Sequence, residues 1–390
     1  MKRIVDILGG LVLMLLMASC NDGSGTGELD NQPATLSIYV YAPEHMLLTR
    51  ANTNWVEGLT AESNIHSLQV WVFEAGTNTL VGYFTPPTTD DLNTAGNAVY
   101  QMAVSPQFAK NKPNVDVYVL ANVTMANCAC EYDANTTRTE LEAAVLKHEG
   151  DNDPFGLPVG GNPTAQTVVP AEGLPMTGVL RNQKVTGESP VLQVGEGSLA
   201  TVRLVRAVSK VRFIFSQMKN GEGVMRVKRV TLNGAVLPKE EYLFLNEEYT
   251  ECHINPAGGY ETETAEIVGE INDVAVTTDP QSYVYTPGMG AEEYETIISG
   301  GLNQDEPELT LRGPFYLRES DMKLAGQICY TINNGDEKTA NFEMHDADDF
   351  SRNHTWTVYA SYGSTTLDIL VVRLKEWVTV DPLNHTVYNW

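Results

Sequence analysis

Near the start of the chain, the residue best placed for chemistry is Cys20. It follows a short basic segment, Met1-Lys2-Arg3, an apolar run from Ile7 to Met17, and the small residues Ala18 and Ser19. That layout is a signal peptide over residues 1–19. Small residues ahead of a cysteine let a peptidase approach, and the thiol can carry a diacylglycerol, leaving Cys20 as the lipidated first residue. Two or more acyl chains, at about 0.8 kcal/mol per buried CH₂, hold a protein stably on a membrane. The apolar run is about half of the roughly 20 residues that a membrane-crossing helix needs. Met17 stands three residues before the cysteine, where lipoprotein signals usually carry Leu, and Leu16 lies one step earlier. The competing reading is an ordinary secretory signal cut near Ser19, with Cys20 incidental.

Beyond Cys20 the residues that could do chemistry form no recognisable constellation. The sequence has no Gly-Lys-Ser/Thr phosphate loop, no His-Glu-x-x-His helix, no Gly-x-Ser-x-Gly elbow and no paired Cys-x-x-Cys. The seven histidines, His45, His66, His148, His253, His345, His354 and His385, are dispersed. His345, Asp346, Asp348 and Asp349 bring imidazole and oxygen ligands close together, as a divalent cation would require; a solvated acidic turn is the simpler account and the one preferred. A glycosidase-type carboxylate pair is defined by distance in the fold, and nothing in the spacing points to one. No catalytic residue, metal site or cofactor is assigned, and the chain reads as a non-enzyme.

Cys128, Cys130, Cys252 and Cys329 are too few to scaffold a chain of 390 residues through disulfides. They read as structural, with a disulfide among them left open. Asp+Glu total 50 against 25 Lys+Arg, a net charge of −25. A surface so acidic argues against nucleic acid or bare anionic membrane as a partner.

The elements around these residues are mostly strands. Leu36, Ile38 and Val40 alternate with Ser37, Tyr39 and Tyr41; Leu68, Val70 and Val72 with Gln69, Trp71 and Phe73; Val115, Val117 and Val119 with Asp116, Tyr118 and Leu120. Period-two runs of this kind suit packed sheets with one face in a core. A single helix is expected from Thr139, as cap, to His148, and residues 150–165 read as a long loop. A second strand-rich half opens near Ala200, with Val211, Phe213 and Phe215, then Val227, Val230 and Leu232, and closing strands around Trp356 and Ile369. The expected fold is all-β, in two sandwich domains with one short helix in the first. The boundaries are a tether at 20–34, domains at 35–199 and 200–377, and a tail at 378–390. No fixed repeat period is visible.

The order of these segments resembles the Bacteroidia-type (type V) fimbrilins. The resemblance rests on Ala34-Thr-Leu-Ser-Ile-Tyr-Val, Leu68-Gln-Val-Trp-Val-Phe-Glu, Val115-Asp-Val-Tyr-Val-Leu-Ala-Asn and Leu174-Pro-Met-Thr-Gly. It continues through Val202-Arg-Leu-Val-Arg-Ala-Val-Ser-Lys-Val and Arg352-Asn-His-Thr-Trp-Thr-Val-Tyr. It implies two transthyretin-like Greek-key β-sandwiches in a subunit that adheres and polymerises with other fimbrial subunits, tethered to the outer membrane by lipid on Cys20. It also implies an arginine-specific protease as partner, cutting between Arg50 and Ala51 to release the first strand. Arg50 is the first Lys or Arg after Cys20. The freed groove would accept a donor strand from another subunit. The tail offers candidates in Val380, Leu383, Val387, Tyr388 and Trp390, although it could equally fold back as an edge strand, and Pro382 interrupts a continuous ladder. The alternative is a non-polymerising surface lipoprotein: a fimbrial anchor or tip, or a glycan binder with Trp55, Trp71 and Trp356 as a stacking platform.

Overall fold

The computed structural model describes residues 34–41, 62, 64–85, 97–125, 131–147, 169–217, 223–233, 237–245, 252–260, 265–266, 274–275, 310–323, 325–343, 350–362, 367–374, 380–381 and 386–387. The first part of the chain forms β1 (Ala34–Tyr41), β2 (Leu68–Glu74), β3 (Leu80–Phe84), β4 (Asn97–Val104), α1 (Pro106–Asn111), β5 (Val115–Ala121), α2 (Arg138–Glu142), β6 (Val145–Lys147), β7 (Met176–Gln183), β8 (Val185–Glu188), β9 (Val191–Val194), β10 (Thr201–Arg203) and β11 (Val205–Arg206). One sheet gathers β4, β1, β10, β9 and β8, and a second runs β11-β7-β5-β2-β3. Both supply the same core: Leu36, Ile38 and Val40 from the first meet Val70, Val72, Val117 and Val119 from the second. The all-β expectation is borne out.

The second part repeats the plan with β12 (Ser209–Gln217), β13 (Met225–Leu232), β14 (Glu240–Tyr242), β15 (Ala265–Glu266), β16 (Val274–Ala275), β17 (Thr310–Leu317), β18 (Ala325–Ile332), β19 (Lys338–Glu343), β20 (Thr355–Tyr362) and β21 (Leu367–Leu374). Its sheets run β17-β12-β20-β21 and β15-β13-β18-β19, with β16 also on β13. Val211, Phe213 and Phe215 face Val227, Val230 and Ile328 across the core. The three-residue step from Val227 to Val230 would put the two on opposite faces of a regular strand. A register shift against β18 between Val227 and Arg229 restores them to one face.

The outer face of the β5–β2 sheet is buried as well. Trp71, Phe73, Tyr118 and Leu120 lie under Leu141, Leu146, Leu243 and Phe244. The cover is tied down where β6 pairs with β14, from the later part of the chain. Trp71 Nε1 donates to the Asp133 carbonyl at 2.8 Å, and the Tyr118 hydroxyl donates to Glu142 at 2.9 Å. Burial, with that bond, pushes the Tyr118 pKa up to about 12.

The helices differ from expectation. The cap of α2 is Thr137, in a reciprocal capping box with Glu140. The helix stops at Glu142, because the chain turns into β6, where a ladder with β14 replaces further helical bonds; His148 lies outside the described residues. A second helix, α1, was not anticipated: Ser105 caps it, accepting from Phe108 N at 3.2 Å, with Pro106 in its first turn. Strands β10 and β11 lie past the expected boundary at 199/200, yet they pair with β1 and β7. Among the described residues no helix is long and apolar enough to cross a membrane.

Candidate functional site

The first strand is the most enclosed element of its sheet. Over its whole length β1 pairs antiparallel with β4, from Ala34↔Val104 to Tyr41↔Asn97. Its other side is shared by two parallel strands: β9 beside Thr35, Leu36 and Ser37, and β10 beside Tyr39, Val40 and Tyr41. Thr35 N donates to the Pro190 carbonyl at 2.8 Å, whereas Tyr39 N reaches the Ala200 carbonyl only at 3.4 Å. Inward, Ala34, Leu36, Ile38 and Val40 are at most 2% exposed.

Removing such a strand leaves a particular kind of site. Two edges of unpaired N–H and C=O groups would face each other across a floor of four apolar sockets, open to a strand of matching alternation. At about 1.5–3 kcal/mol for each of Leu36, Ile38 and Val40, the vacancy costs about 5–9 kcal/mol in apolar contact alone.

Cys20, Arg50 and Ala51 lie outside the described residues, as do Leu383, Tyr388 and Trp390. Val380 and Val387 are paired with each other: β22 (Val380–Asp381) and β23 (Thr386–Val387) form a two-stranded sheet separate from the main four. Trp71 and Trp356 are buried, at 0% and 2% exposure, so neither can serve a sugar-stacking platform; Trp55 is outside the described residues. Cys252 Sγ donates to the Ser320 carbonyl at 2.8 Å, and Cys329 is a buried thiol outside any disulfide, while Cys128 and Cys130 are not described. The cluster from His345 to Asp349 is likewise outside, and the described residues contain no group of His, Cys, Asp or Glu poised for a metal.

Sequence reasoning passed over the buried charges between the two sandwiches. Glu62 is fully buried; its Oε1 accepts from the Tyr316 hydroxyl at 2.6 Å and its Oε2 from Lys210 Nζ at 3.2 Å. Arg206 Nε donates to the Glu62 carbonyl at 3.0 Å and its Nη1 to Asn353 Oδ1 at 3.4 Å. Burial lowers the Arg206 pKa to about 10, with Glu62 opposing the shift, so it stays charged at neutral pH. Burial, then Glu62, drives the Tyr316 pKa far upward, so the phenol keeps its proton as donor. Nearby, Arg352 Nε donates to Glu319 Oε1 at 2.9 Å, with both side chains 1% exposed. Burial raises the Glu319 pKa against the pull of Arg352. The legible signal was charge inside apolar strand patterns, at Arg206, Lys210, Arg318 and Glu319.

Residues 34–206 match the family of major fimbrial subunit proteins (FimA). No curated sequence matches the chain. Among solved structures it is similar to a candidate cell adhesion protein from Parabacteroides distasonis, at 15% identity over 87% of this chain and 96% of that one, with a TM-score of 0.49. It is similar also to the tip fimbrial protein Mfa3 from Porphyromonas gingivalis, at 11% identity over 88% and 99%, with a TM-score of 0.48. A fimbrial assembly protein from Parabacteroides distasonis matches at 14% identity over 87% and 96%, with a TM-score of 0.40.

Proposed function

We propose that this chain, a member of the major fimbrial subunit (FimA) family through residues 34–206, is a polymerising subunit whose first strand is removed and replaced during assembly. The match over residues 34–206 supports a structural, adhesive role in the cell-surface fimbrium. The proposal adds export as a lipoprotein on Cys20, outer-membrane attachment through that lipid, and a cut between Arg50 and Ala51 by an arginine-specific protease.

The observation that carries the reading is the position of β1. It ends at Tyr41, it is enclosed on both sides, and the chain resumes in the described structure at Glu62. Arg50 is the first Lys or Arg after Cys20 and lies between these two points. A cut there severs β1 from the rest of the subunit while leaving every other strand on one continuous chain. The tail supplies the complementary piece: among the described residues, β22 and β23 meet at two residue pairs, Val380↔Val387 and Asp381↔Thr386. Extending the tail gives up little, and Val380, Leu383, Val387, Tyr388 and Trp390 then become sockets' occupants in a neighbouring groove. The same reading divides the mature chain into one unit ending at Arg206 and another beginning at Ser209.

The test is the N-terminus and intact mass of protein sheared from cells, compared with the membrane-bound form. Sheared protein should begin at Ala51, and bound protein at acylated Cys20. Sheared protein that retains acylated Cys20, with no shorter species, sinks the polymerising role.

A further inference from the structure

Strand exchange does not use the buried charges between the sandwiches, although several belong to segments already prominent in the sequence. Arg206 and Lys210 come from Val202-Arg-Leu-Val-Arg-Ala-Val-Ser-Lys, and Asn353 from Arg352-Asn-His. They converge, with Tyr316, on Glu62. Lys210 and Tyr316 lie on β12 and β17 of the second sandwich, so residue 62 is fastened by its carboxylate to the second sandwich, not to the sheet that holds β1.

A second fastening follows at once. Asn122, fully buried and in a left-handed conformation (φ 59°), accepts through Oδ1 from His66 N at 2.7 Å. Its Nδ2 donates to the Asn64 carbonyl at 2.8 Å and the Leu174 carbonyl at 2.9 Å. Residues 62–67 are therefore held at both ends before β2 begins at Leu68.

We infer that Glu62 is a positioning residue that pins the chain just downstream of the released segment to the second sandwich, so that opening of the groove stops at residue 62. The inference rests on the release of β1 proposed above. The carboxylate suits the task because two buried cations surround it. Withdrawing its side chain takes the buried carboxylate away from Lys210, and withdrawing its carbonyl takes an acceptor away from Arg206, which keeps its bond to Asn353; breaking a buried ion pair in this way is strongly disfavoured. The link thus holds the new start of the cleaved chain against the second sandwich once β1 has left, and β2 keeps its place in the sheet lining the vacated groove.

The experiment is amide hydrogen exchange on the full mature chain, before and after an arginine-specific protease, for wild type and Glu62→Gln. Cleaved wild type should keep the protection of residues 64–74. Cleaved Glu62→Gln should lose it by about tenfold or more while β12 and β20 remain protected. Equal protection in the two cleaved proteins overturns the anchor, as does loss of protection in cleaved wild type. If mass analysis shows residues 34–50 uncut or retained, the release reading fails and the anchor is judged on the uncut chain. There, Glu62→Gln should still exchange residues 64–67 about tenfold faster, and wild-type rates overturn it. Tyr316→Phe, which removes one donor and no charge, serves if Glu62→Gln does not fold; it should give a smaller acceleration at the same residues, and none overturns the anchor.

Discussion

The two sandwiches share one wiring diagram but hold their first strands differently. Strand β1 lies antiparallel to β4 and parallel to β9 and β10; β12 lies antiparallel to β17 and parallel to β20. In the facing sheets, β2 sits between β3 and β5, and β13 sits between β15 or β16 and β18. The parallel seam beside β12 is one unbroken run from Lys210↔Thr355 to Gln217↔Tyr362. The seam beside β1 is two runs of three with Ile38 in the gap. At its start β12 follows closely on β11, whereas β1 is joined to the rest of the subunit only through the segment that contains Arg50. If β1 is exchanged as proposed, one topology serves both as a permanent fixture and as a replaceable one, with seam length and chain connection as the difference between them.

The sharpest challenge to this comparison is at the junction. Arg352→Met leaves Glu319 buried without its partner and should cost about 3–5 kcal/mol. Denaturant unfolding should show the loss in the second sandwich; an equal loss from β1 and β5 would mean that the two sandwiches unfold as one. Next in size is a pair of core truncations. Phe213→Ala should cost about 3–5 kcal/mol and Ile38→Ala about 2–5 kcal/mol. Hydrogen exchange should confine each effect to its own sandwich, and the rate of β1 release after cleavage should respond to Ile38→Ala alone.

Acid should act at the cover between them. Burial, followed by Arg352, lowers the pKa of His253 to about 4 from the ordinary 6.5. The unfolded chain therefore takes up the proton first as pH falls, so stability is complete above pH 6.5, declines between 6.5 and 4, and is level below. With His253 partly exposed, the decline should be about 1–2 kcal/mol, and His253→Gln should remove it in pH-dependent urea titrations. A smaller effect is expected from Thr137→Ala, which removes the α2 cap at about 1 kcal/mol and should show as faster exchange over residues 138–144. Smallest of all, Arg229→Ala breaks an exposed pair with Glu337 and should change the thermal midpoint hardly at all.

Alternation alone located β1, β2, β5 and the main strands of the second half, because each has one face against a core. It placed Trp71 in a core or between sheets but left the cover over the other face of β2 and β5 unassigned: Phe73, Tyr118 and Leu120 are buried with Trp71 by α2 and by Leu243 and Phe244. That cover comes from segments far along the chain, and no local period encodes it. The same long-range pairing shortened the expected helix after Thr137, since β6 bonds to β14 rather than to the preceding turn. The duplicated wiring was invisible for a related reason: topology repeats here while loop lengths do not. Of the candidate site, the apolar alternation of β1 was legible, but its two-part seam was not, because β9 and β10 are short strands with few residues to betray them.

The gap at Ile38 also bears on how exchange would proceed in time. A strand fastened by one long row must come away in a single costly event. On its β9 and β10 side β1 is fastened by two short rows, which could be traded in halves, while its row with β4 runs unbroken. An incoming strand that displaces β1 from β10 first, near Tyr41, could occupy that row before the row at β9 opens. Each half-exchange breaks only a few backbone hydrogen bonds, at about 0.5–1.5 kcal/mol net apiece. On that route an exchange would expose only part of the apolar floor to water at any one time.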